Sequence, residues 1–300
     1  MSEAQILERG YRRYTGPRHG QAGSIRSVMR HTIQRCLGLH RPARAKVFPV
    51  LTVILAYVPT IIYVGVTVIG NRIEREGLPG RTMAEQFVPS YAENYLQVVL
   101  AVLLFSAFVA PEVLCPDRRT GMLGLYLAAP LSRTTYLISK GLAVLAMVSM
   151  VTIGPPIILL IGYTTQGYGP DGIGDWLLTL LRIAGAGLVL AALYSAISLA
   201  ISSITSRKAA ASAAYIALMV GVPALISYLV VWIAGDGRLQ LLDLATLPYR
   251  AVFVVFGERW PVFVATGDPT DLEVWAAYAG WVGLSIGIIA ISYRRIQVTR

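Results

Sequence analysis

Six long apolar segments, separated by charged connections, constrain the fold of this chain more than any other feature of its sequence. An α-helix rises 1.5 Å per residue, so about 20 apolar residues cross the hydrocarbon core of a bilayer. Each segment meets that length, and the third and fourth are long enough to tilt or to project beyond the bilayer. The segments lie at 47–69, 94–114, 136–163, 176–204, 209–234 and 274–293. This pattern predicts an all-α polytopic membrane protein with six transmembrane helices.

The composition of the chain excludes most water-soluble functions. Of its 300 residues, 55% are hydrophobic and only 14% are charged, and the mean hydropathy is +0.61. Soluble domains carry about 25% charged residues. The net charge of +10 does not indicate nucleic-acid binding, because basic residues in a membrane protein gather in its cytoplasmic loops.

The basic residues also predict the orientation of the six helices. With a cytoplasmic N-terminus, 19 of the 26 Lys and Arg residues fall on the cytoplasmic side. We therefore expect both termini in the cytoplasm and the protein in the cell inner (plasma) membrane. The chain then divides into a cytoplasmic region over 1–46, a transmembrane domain over 47–293 and a cytoplasmic tail over 294–300. An outer hairpin over 235–273 belongs to the transmembrane domain.

The N-terminal region lacks the apolar run of a signal peptide and predicts an amphipathic helix instead. Arg26, Arg30 and Arg35 are expected on its polar faces. The apolar residues that recur at helical spacing are Ile25, Val28, Met29, Ile33, Cys36 and Leu37. A basic amphipathic helix before a membrane span is typical of one that lies in the headgroup region, and an ordinary solvated helix is the alternative.

No group of residues suggests catalysis by this chain. The interiors of the apolar segments contain almost no ionisable side chains, which disfavours an intramembrane enzyme or a proton-coupled pump. His19, His31 and His40 fit no metal motif, and we expect Cys36 and Cys115 to be free thiols. Since the sequence has no P-loop motif, any ATP that drives the protein must be hydrolysed by a partner. We expect no catalytic residue, metal or cofactor in this chain.

Small residues spaced four apart indicate where membrane helices approach each other closely. The fourth apolar segment carries one such stripe, at Gly187, Ala191 and Ser195. The fifth carries another, at Ala209, Ala213, Ala217 and Gly221. We interpret both stripes as helix-packing faces.

The most informative connection runs from Asp117 to Lys140 and reads DRRTGMLGLYLAAPLSRTTYLISK. It begins with an acid–base cluster, continues with apolar residues, turns at Pro130 and resumes as a helix after Ser132. The pattern predicts a short helix on the cytoplasmic surface. The alternative is an ordinary connecting loop with positive-inside charges, and the residues taken alone favour that alternative.

This connection resembles the corresponding segment of the ABC transporter type-2 permease family. The matching residues are Asp117, Arg118, Gly121, Leu123, Pro130, Leu131, Ser132, Tyr136, Leu137 and Lys140. Met122 and Gly124 depart from the family pattern, which usually has Thr and Glu there. The six spans, the cytoplasmic termini and the amphipathic helix before the first span also resemble that family. The family further implies that segment 235–273 caps the outer exit. Independently of the family, Trp260, Trp275 and Trp281 suit the aromatic belt of the outer leaflet, and we interpret them as membrane anchors.

The resemblance implies that segment 117–133 is a coupling helix that docks on a separate ATP-binding subunit. Two copies of that subunit would carry ATP and Mg²⁺, and a second permease chain, identical or paralogous, would complete the complex. The implied ATPase-coupling residues are Asp117, Arg118, Arg119, Gly121, Leu123, Leu127, Pro130, Ser132 and Arg133. Among them, the three arginines are candidates for charge pairing and the two leucines for apolar anchoring.

Two functions of different classes remain open at this point. The first is the permease subunit of an exporter, and the near-neutral spans suggest a hydrophobic or amphipathic substrate. Membrane lipid is then an expected partner of the chain, and nucleic acid is not. The second is a membrane scaffold or assembly factor that docks soluble partners without transport. Stimulation of ATP hydrolysis by a substrate distinguishes the two.

Overall fold

The computed structural model describes residues 20–39, 42, 46–122, 131–229, 236–261 and 268–294. Within these ranges the chain is helical and forms no strand. Six stretches are long and apolar enough to cross a membrane, and each overlaps one of the six predicted segments. They are Val47–Arg75, Val99–Arg119, Arg133–Gln166, Gly172–Ile204, Lys208–Leu229 and Asp271–Arg294. For the described residues, the helical structure and the six long apolar helices confirm the prediction of an all-α polytopic membrane protein.

The helices are α1 (Gly20–Cys36), α2 (Val47–Arg75), α3 (Gly80–Glu85), α4 (Tyr91–Gln97), α5 (Val99–Phe108), α6 (Pro111–Arg119), α7 (Arg133–Gln166), α8 (Gly172–Ile204), α9 (Lys208–Ile216), α10 (Val222–Leu229), α11 (Leu247–Phe256) and α12 (Asp271–Arg294). A π-helical stretch, Ala217–Gly221, joins α9 to α10, and a 3₁₀ helix covers Gly237–Leu242. The second span consists of α5 and α6, and the fifth consists of α9 and α10.

The spans alternate in direction, which gives the bundle two ends. At one end, Asp117 near the end of α6 binds Lys140 near the start of α7. At the other, the Asn71 side chain near the end of α2 donates to the Gln166 carbonyl at 2.7 Å. We call these the Asp117 end and the Gln166 end.

Proline residues explain the irregular points of the second and fifth spans. Pro111 occupies the first turn of α6, where a missing N–H removes no helical hydrogen bond. Pro223 lies two residues after the end of the π-helical stretch, because its ring would clash with the carbonyl of Met219 in a regular α-helix.

Close packing of α2 on α7 depends on two glycines that belong to neither predicted small-residue stripe. A Cβ atom on Gly162 would overlap the side chain of Val64, and one on Gly154 would overlap the Tyr57 hydroxyl. That hydroxyl instead donates to the Met150 carbonyl at 3.0 Å. The two glycines therefore bring the α2 and α7 backbones together.

The small-residue stripe of α8 lies inside the bundle. Gly187, Ala191 and Ser195 are all buried, and a Cβ atom on Gly187 would overlap the Ile153 side chain of α7. The Thr152 hydroxyl donates to the Gly187 carbonyl at 2.8 Å. This stripe faces α7.

The stripe of the fifth span takes no part in packing within the described chain. Tyr215 and Met219 on the opposite face are buried, and these larger side chains fill the core. The exposed residues are Ala209, Ala213, Ala217 and Gly221. The interpretation of this stripe as a packing face is therefore wrong for contacts inside one chain.

The helix α11 is a short buried element near the Gln166 end, where the outer hairpin was predicted. It packs against α4, α8 and α12. Its Arg250 is 3% exposed, forms an ion pair with Asp268 at 3.0 Å and lies over the ring of Trp260. Trp281 donates to the Leu241 carbonyl at 3.4 Å, and the Trp275 ring packs on Tyr278. These tryptophans are half-buried against the chain itself.

Candidate functional site

A buried carboxylate joins three helices at the Asp117 end. One oxygen of Asp117 lies 2.8 Å from Nη1 of Arg35 in α1, and the other lies 2.8 Å from Nζ of Lys140 in α7. The Tyr136 hydroxyl donates to the second oxygen at 2.9 Å. The Asp117 cluster, which comprises Arg35, Asp117, Tyr136 and Lys140, therefore connects α1, α6 and α7.

A proline in α6 leaves a backbone carbonyl free to accept a hydrogen bond from Arg35. Pro116 has no N–H, so the carbonyl of Glu112, four residues earlier, has no helical donor. Nη2 of Arg35 donates to that carbonyl at 3.0 Å and to the Val113 carbonyl at 3.2 Å. One guanidinium thus binds both the carboxylate and the backbone of α6.

Because the Asp117 cluster is buried, its charges are stable only while all of its members are in place. The side chains of Asp117 and Lys140 are 2% and 1% exposed, and that of Arg35 is 17% exposed. A buried ion is tolerated when it is paired and hydrogen-bonded, and removing one partner from a buried pair costs about 3–5 kcal/mol. Asp117 has two cationic partners and a hydroxyl donor, so the three helices are held together as one unit.

Other spans meet the Asp117 cluster at the same end. The Tyr293 ring of α12 packs on Tyr136 with centroids 6.2 Å apart. Cys115 Sγ lies 3.5 Å from the Thr205 carbonyl after α8, and Lys208 of α9 forms an ion pair with Glu112. The fourth, fifth and sixth spans therefore contact α6 or α7, which belong to the second and third spans, at this end.

The predicted coupling residues divide into buried and exposed groups. Asp117 is buried, Arg118 is half-buried, and Arg119 and Arg133 are exposed on either side of the connection. The residues Leu123, Leu127 and Pro130 lie outside the described residues.

Two of the predicted residues shape the helix ends at this connection. Gly121 has a φ of +66°, which favours glycine, and the Met122 N–H next to it donates back to the Asp117 carbonyl at 3.1 Å. Ser132 precedes α7 and accepts a hydrogen bond from the Thr135 N–H at 3.2 Å. The predicted helix start after Ser132 is confirmed.

Two expectations about charged residues are corrected by this geometry. Arg35 was expected on a polar face of the amphipathic helix, but it points inward to Asp117, whereas Arg26 and Arg30 are exposed. Lys140, near the start of the third predicted segment, is expected among the positive charges of the cytoplasmic side, but the structure shows it buried and paired with Asp117. Both corrections have one cause, since a carboxylate in the last turn of α6 attracts cations from the two helices beside it.

The apolar face of α1 is confirmed, since Cys36 is buried and the other apolar residues of that face are half-buried.

The described residues contain no group of His, Cys, Asp and Glu side chains placed to hold a metal ion. His31 is exposed, and His19 and His40 lie outside the described residues. Cys36 and Cys115 are buried free thiols, as predicted. What the Asp117 end offers is a mechanical connection between helices.

The sequence carries a local signal for one pair of the Asp117 cluster. A lysine within an apolar segment needs a counter-ion, and Asp117 is the nearest acid before it in the sequence. The participation of Arg35, 82 residues away, had no such local signal.

No protein-family model and no curated protein matches this chain. The resemblance to ABC transporter type-2 permeases therefore rests on the 117–140 connection and on the architecture.

Proposed function

We propose that this chain is the permease subunit of an ATP-driven ABC transporter that exports a hydrophobic or amphipathic substrate. It works with two copies of a separate ATP-binding subunit, which carry ATP and Mg²⁺. The observation that carries the proposal is that both ends of the connection between α6 and α7 are tied to the buried Asp117 cluster.

A coupling element must move the spans when a partner pushes on it. The connection leaves α6 just after Asp117 and enters α7 just before Tyr136 and Lys140, which bind that same carboxylate. A force on the connection is therefore delivered to α6 and α7 together, and Arg35 extends it to α1. A loosely tethered docking loop would have no need of this buried anchor.

The surface around the connection favours an acidic docking groove on the partner. Arg119 and Arg133 are exposed on its two sides, and Arg26 and Arg30 of α1 are exposed at the same end of the bundle. The positive-inside expectation places this end in the cytoplasm, where an ATP-binding subunit would be. Exposed arginines also suit bidentate pairing with carboxylates.

The outer faces of two spans support pairing with a second permease chain. The small-residue stripe of the fifth span is exposed, and among the described residues no atom beyond Gly221's own helical neighbours lies within 4 Å of a Cβ atom placed on it. The first span exposes Ile54, Val58 and Ile61 on its own outer face. Both α2 and α9 pack on α5, so the two faces flank the second span. Two chains joined there would enclose a path between them, and small residues allow close helix approach.

The experiment that tests the proposal is affinity purification of the chain from native membranes under conditions that preserve complexes. Co-eluting subunits are identified by mass spectrometry, and the eluate is assayed for ATP hydrolysis. The test variant is Arg119→Glu with Arg133→Glu, which reverses the charge beside the connection. The matched control is Arg81→Glu with Arg238→Glu, two arginines in the partly exposed ion pairs of the Gln166 end.

We expect a P-loop subunit in stoichiometric amount and ATP hydrolysis that responds to an added substrate. The charge reversal at the Asp117 end should release that subunit, and the reversal at the Gln166 end should retain it. Retention of a soluble partner without ATP turnover would favour the scaffold hypothesis. Absence of any ATPase would refute the proposed function.

A further inference from the structure

A cavity of about 600 Å³ lies between α7, α8 and α12 at the Asp117 end. Its wall is almost entirely apolar and includes Leu137 and Leu145 of α7, Leu199 of α8, and Ile286 and Ile289 of α12. Volumes of about 300–1,000 Å³ are typical of ligand sites. The cavity is only partly enclosed by the chain.

One end of this cavity is basic. Arg133 at the start of α7 and Arg294 at the end of α12 both line it, and both are exposed. The hydroxyl-bearing Thr134 lies beside them. Lys140 also contributes to the wall, where Asp117 balances its charge. None of the lining residues that the structure describes is acidic, so this end of the cavity attracts anions.

The cavity has the length of one lipid leaflet. Its lining residues on α7 run from Arg133 to Leu145, which at 1.5 Å per residue is a span of about 18 Å. Half of the hydrocarbon core of a bilayer is about 15 Å thick. The arginines therefore lie where a headgroup phosphate sits when the apolar part of the cavity is at the depth of the acyl chains.

From the charge, the depth and the apolar wall together, we propose that this cavity is a binding site for an anionic phospholipid of the leaflet at the Asp117 end. Arg133 and Arg294 bind the headgroup phosphate, and an acyl chain fills the space between α7, α8 and α12. The bound lipid would brace α7 against α12 beside the Asp117 cluster. This proposal does not depend on the transport function.

The test uses the purified full-length chain, delipidated in detergent and titrated with phosphatidylglycerol or phosphatidylcholine under native mass spectrometry. The first variant is Arg133→Gln with Arg294→Gln, and its control is Arg207→Gln, an exposed arginine outside the cavity. The second variant is Ala196→Phe, which fills the cavity without changing charge. Its control is Ala279→Phe, at an exposed position of α12 outside the cavity. Thermal unfolding in detergent establishes that each variant is folded.

We expect phosphatidylglycerol to bind more tightly than phosphatidylcholine. Loss of both arginines should weaken phosphatidylglycerol about 30-fold, since each basic residue near an anionic lipid contributes about fivefold. The Ala196→Phe variant should lose the lipid, both controls should retain it, and excess inorganic phosphate should not displace it. Equal binding of the two lipids, or an Ala196→Phe variant that binds as the wild type does, would overturn the site. Displacement of the lipid by free phosphate would also overturn the site, because it would mean that only the exposed arginines attract the headgroup. A lipid-free dimer in which a second copy closes the cavity would overturn it as well.

Discussion

Nη2 of Arg35 lies 3.0 Å from the carbonyl oxygen of Glu112, the acceptor that Pro116 leaves free inside α6. The contact connects the helix before the first span to the helix that ends the second span, 77 residues apart. The same guanidinium reaches Asp117, which binds α7. A helix-interior proline, usually a defect, here supplies the docking point for another helix.

Asp117→Asn should destabilise the protein strongly, because Arg35 and Lys140 would lose their shared counter-charge in a buried site. We expect a loss of about 3–5 kcal/mol, measured as a fall in the thermal unfolding midpoint in detergent. The control is Glu85→Gln, which breaks an exposed pair with Arg81 and should cost about 0–1 kcal/mol. Equal midpoints for the two variants would show that the cluster does not hold the helices together.

Pro116→Ala should loosen α1 while it regularises α6. An alanine at that position would supply an N–H to the Glu112 carbonyl, in competition with Arg35. Loss of a hydrogen bond to a charged group costs about 1.5–3 kcal/mol, so amide hydrogen exchange in α1 should become faster by about 10- to 100-fold where it occurs by local detachment. Pro59→Ala, in the interior of α2, should leave exchange in α1 unchanged. Unaltered α1 exchange in the Pro116 variant would mean that Asp117 alone anchors Arg35.

Gly187→Ala and Gly185→Ala should have opposite effects on stability, although the two glycines lie in the same helix. A Cβ atom on Gly187 would overlap Ile153 of α7, whereas one on Gly185 would meet none of the described residues within 4 Å beyond its own helical neighbours. Overpacking a tight contact costs about 1–3 kcal/mol. Replacing an unobstructed helical glycine by alanine gains up to about 1 kcal/mol in helix propensity. Thermal unfolding of both variants in detergent provides the test. A Gly187→Ala protein as stable as the wild type would show that the α7–α8 contact does not require glycine at this position.

The six spans could be predicted from sequence because their length and lack of charge are local properties. The side of each span that the bundle covers could not. The spacing of Ala213 and Ala217 shows that they share a face, but only the burial of Tyr215 and Met219 shows that this face is exposed. Tertiary packing decides the outcome there.

The candidate site was predictable only in part, because some of its contacts are close along the chain and others are distant. Asp117 and Lys140 stand at the two ends of one connection, so their proximity follows from the chain itself. Arg35 joins them through a contact across 82 residues, which no local pattern encodes. On α1 alone, its position among polar residues suggested a solvated arginine.

Replacing Leu123 and Leu127 by Asp should detach the ATP-binding subunit under the proposed function, because two carboxylates would replace the apolar anchors that the family resemblance implies. Membrane insertion should be unaffected, since both residues belong to a connection between spans. The measurement is co-purification of the P-loop subunit together with ATP turnover in the eluate. Leu78→Asp with Met83→Asp is the matched control, since both residues are exposed at the Gln166 end. A Leu123/Leu127 double variant that kept its partner and full turnover would place the coupling contact elsewhere, with the exposed Arg119 and Arg133 as the remaining contacts at this end.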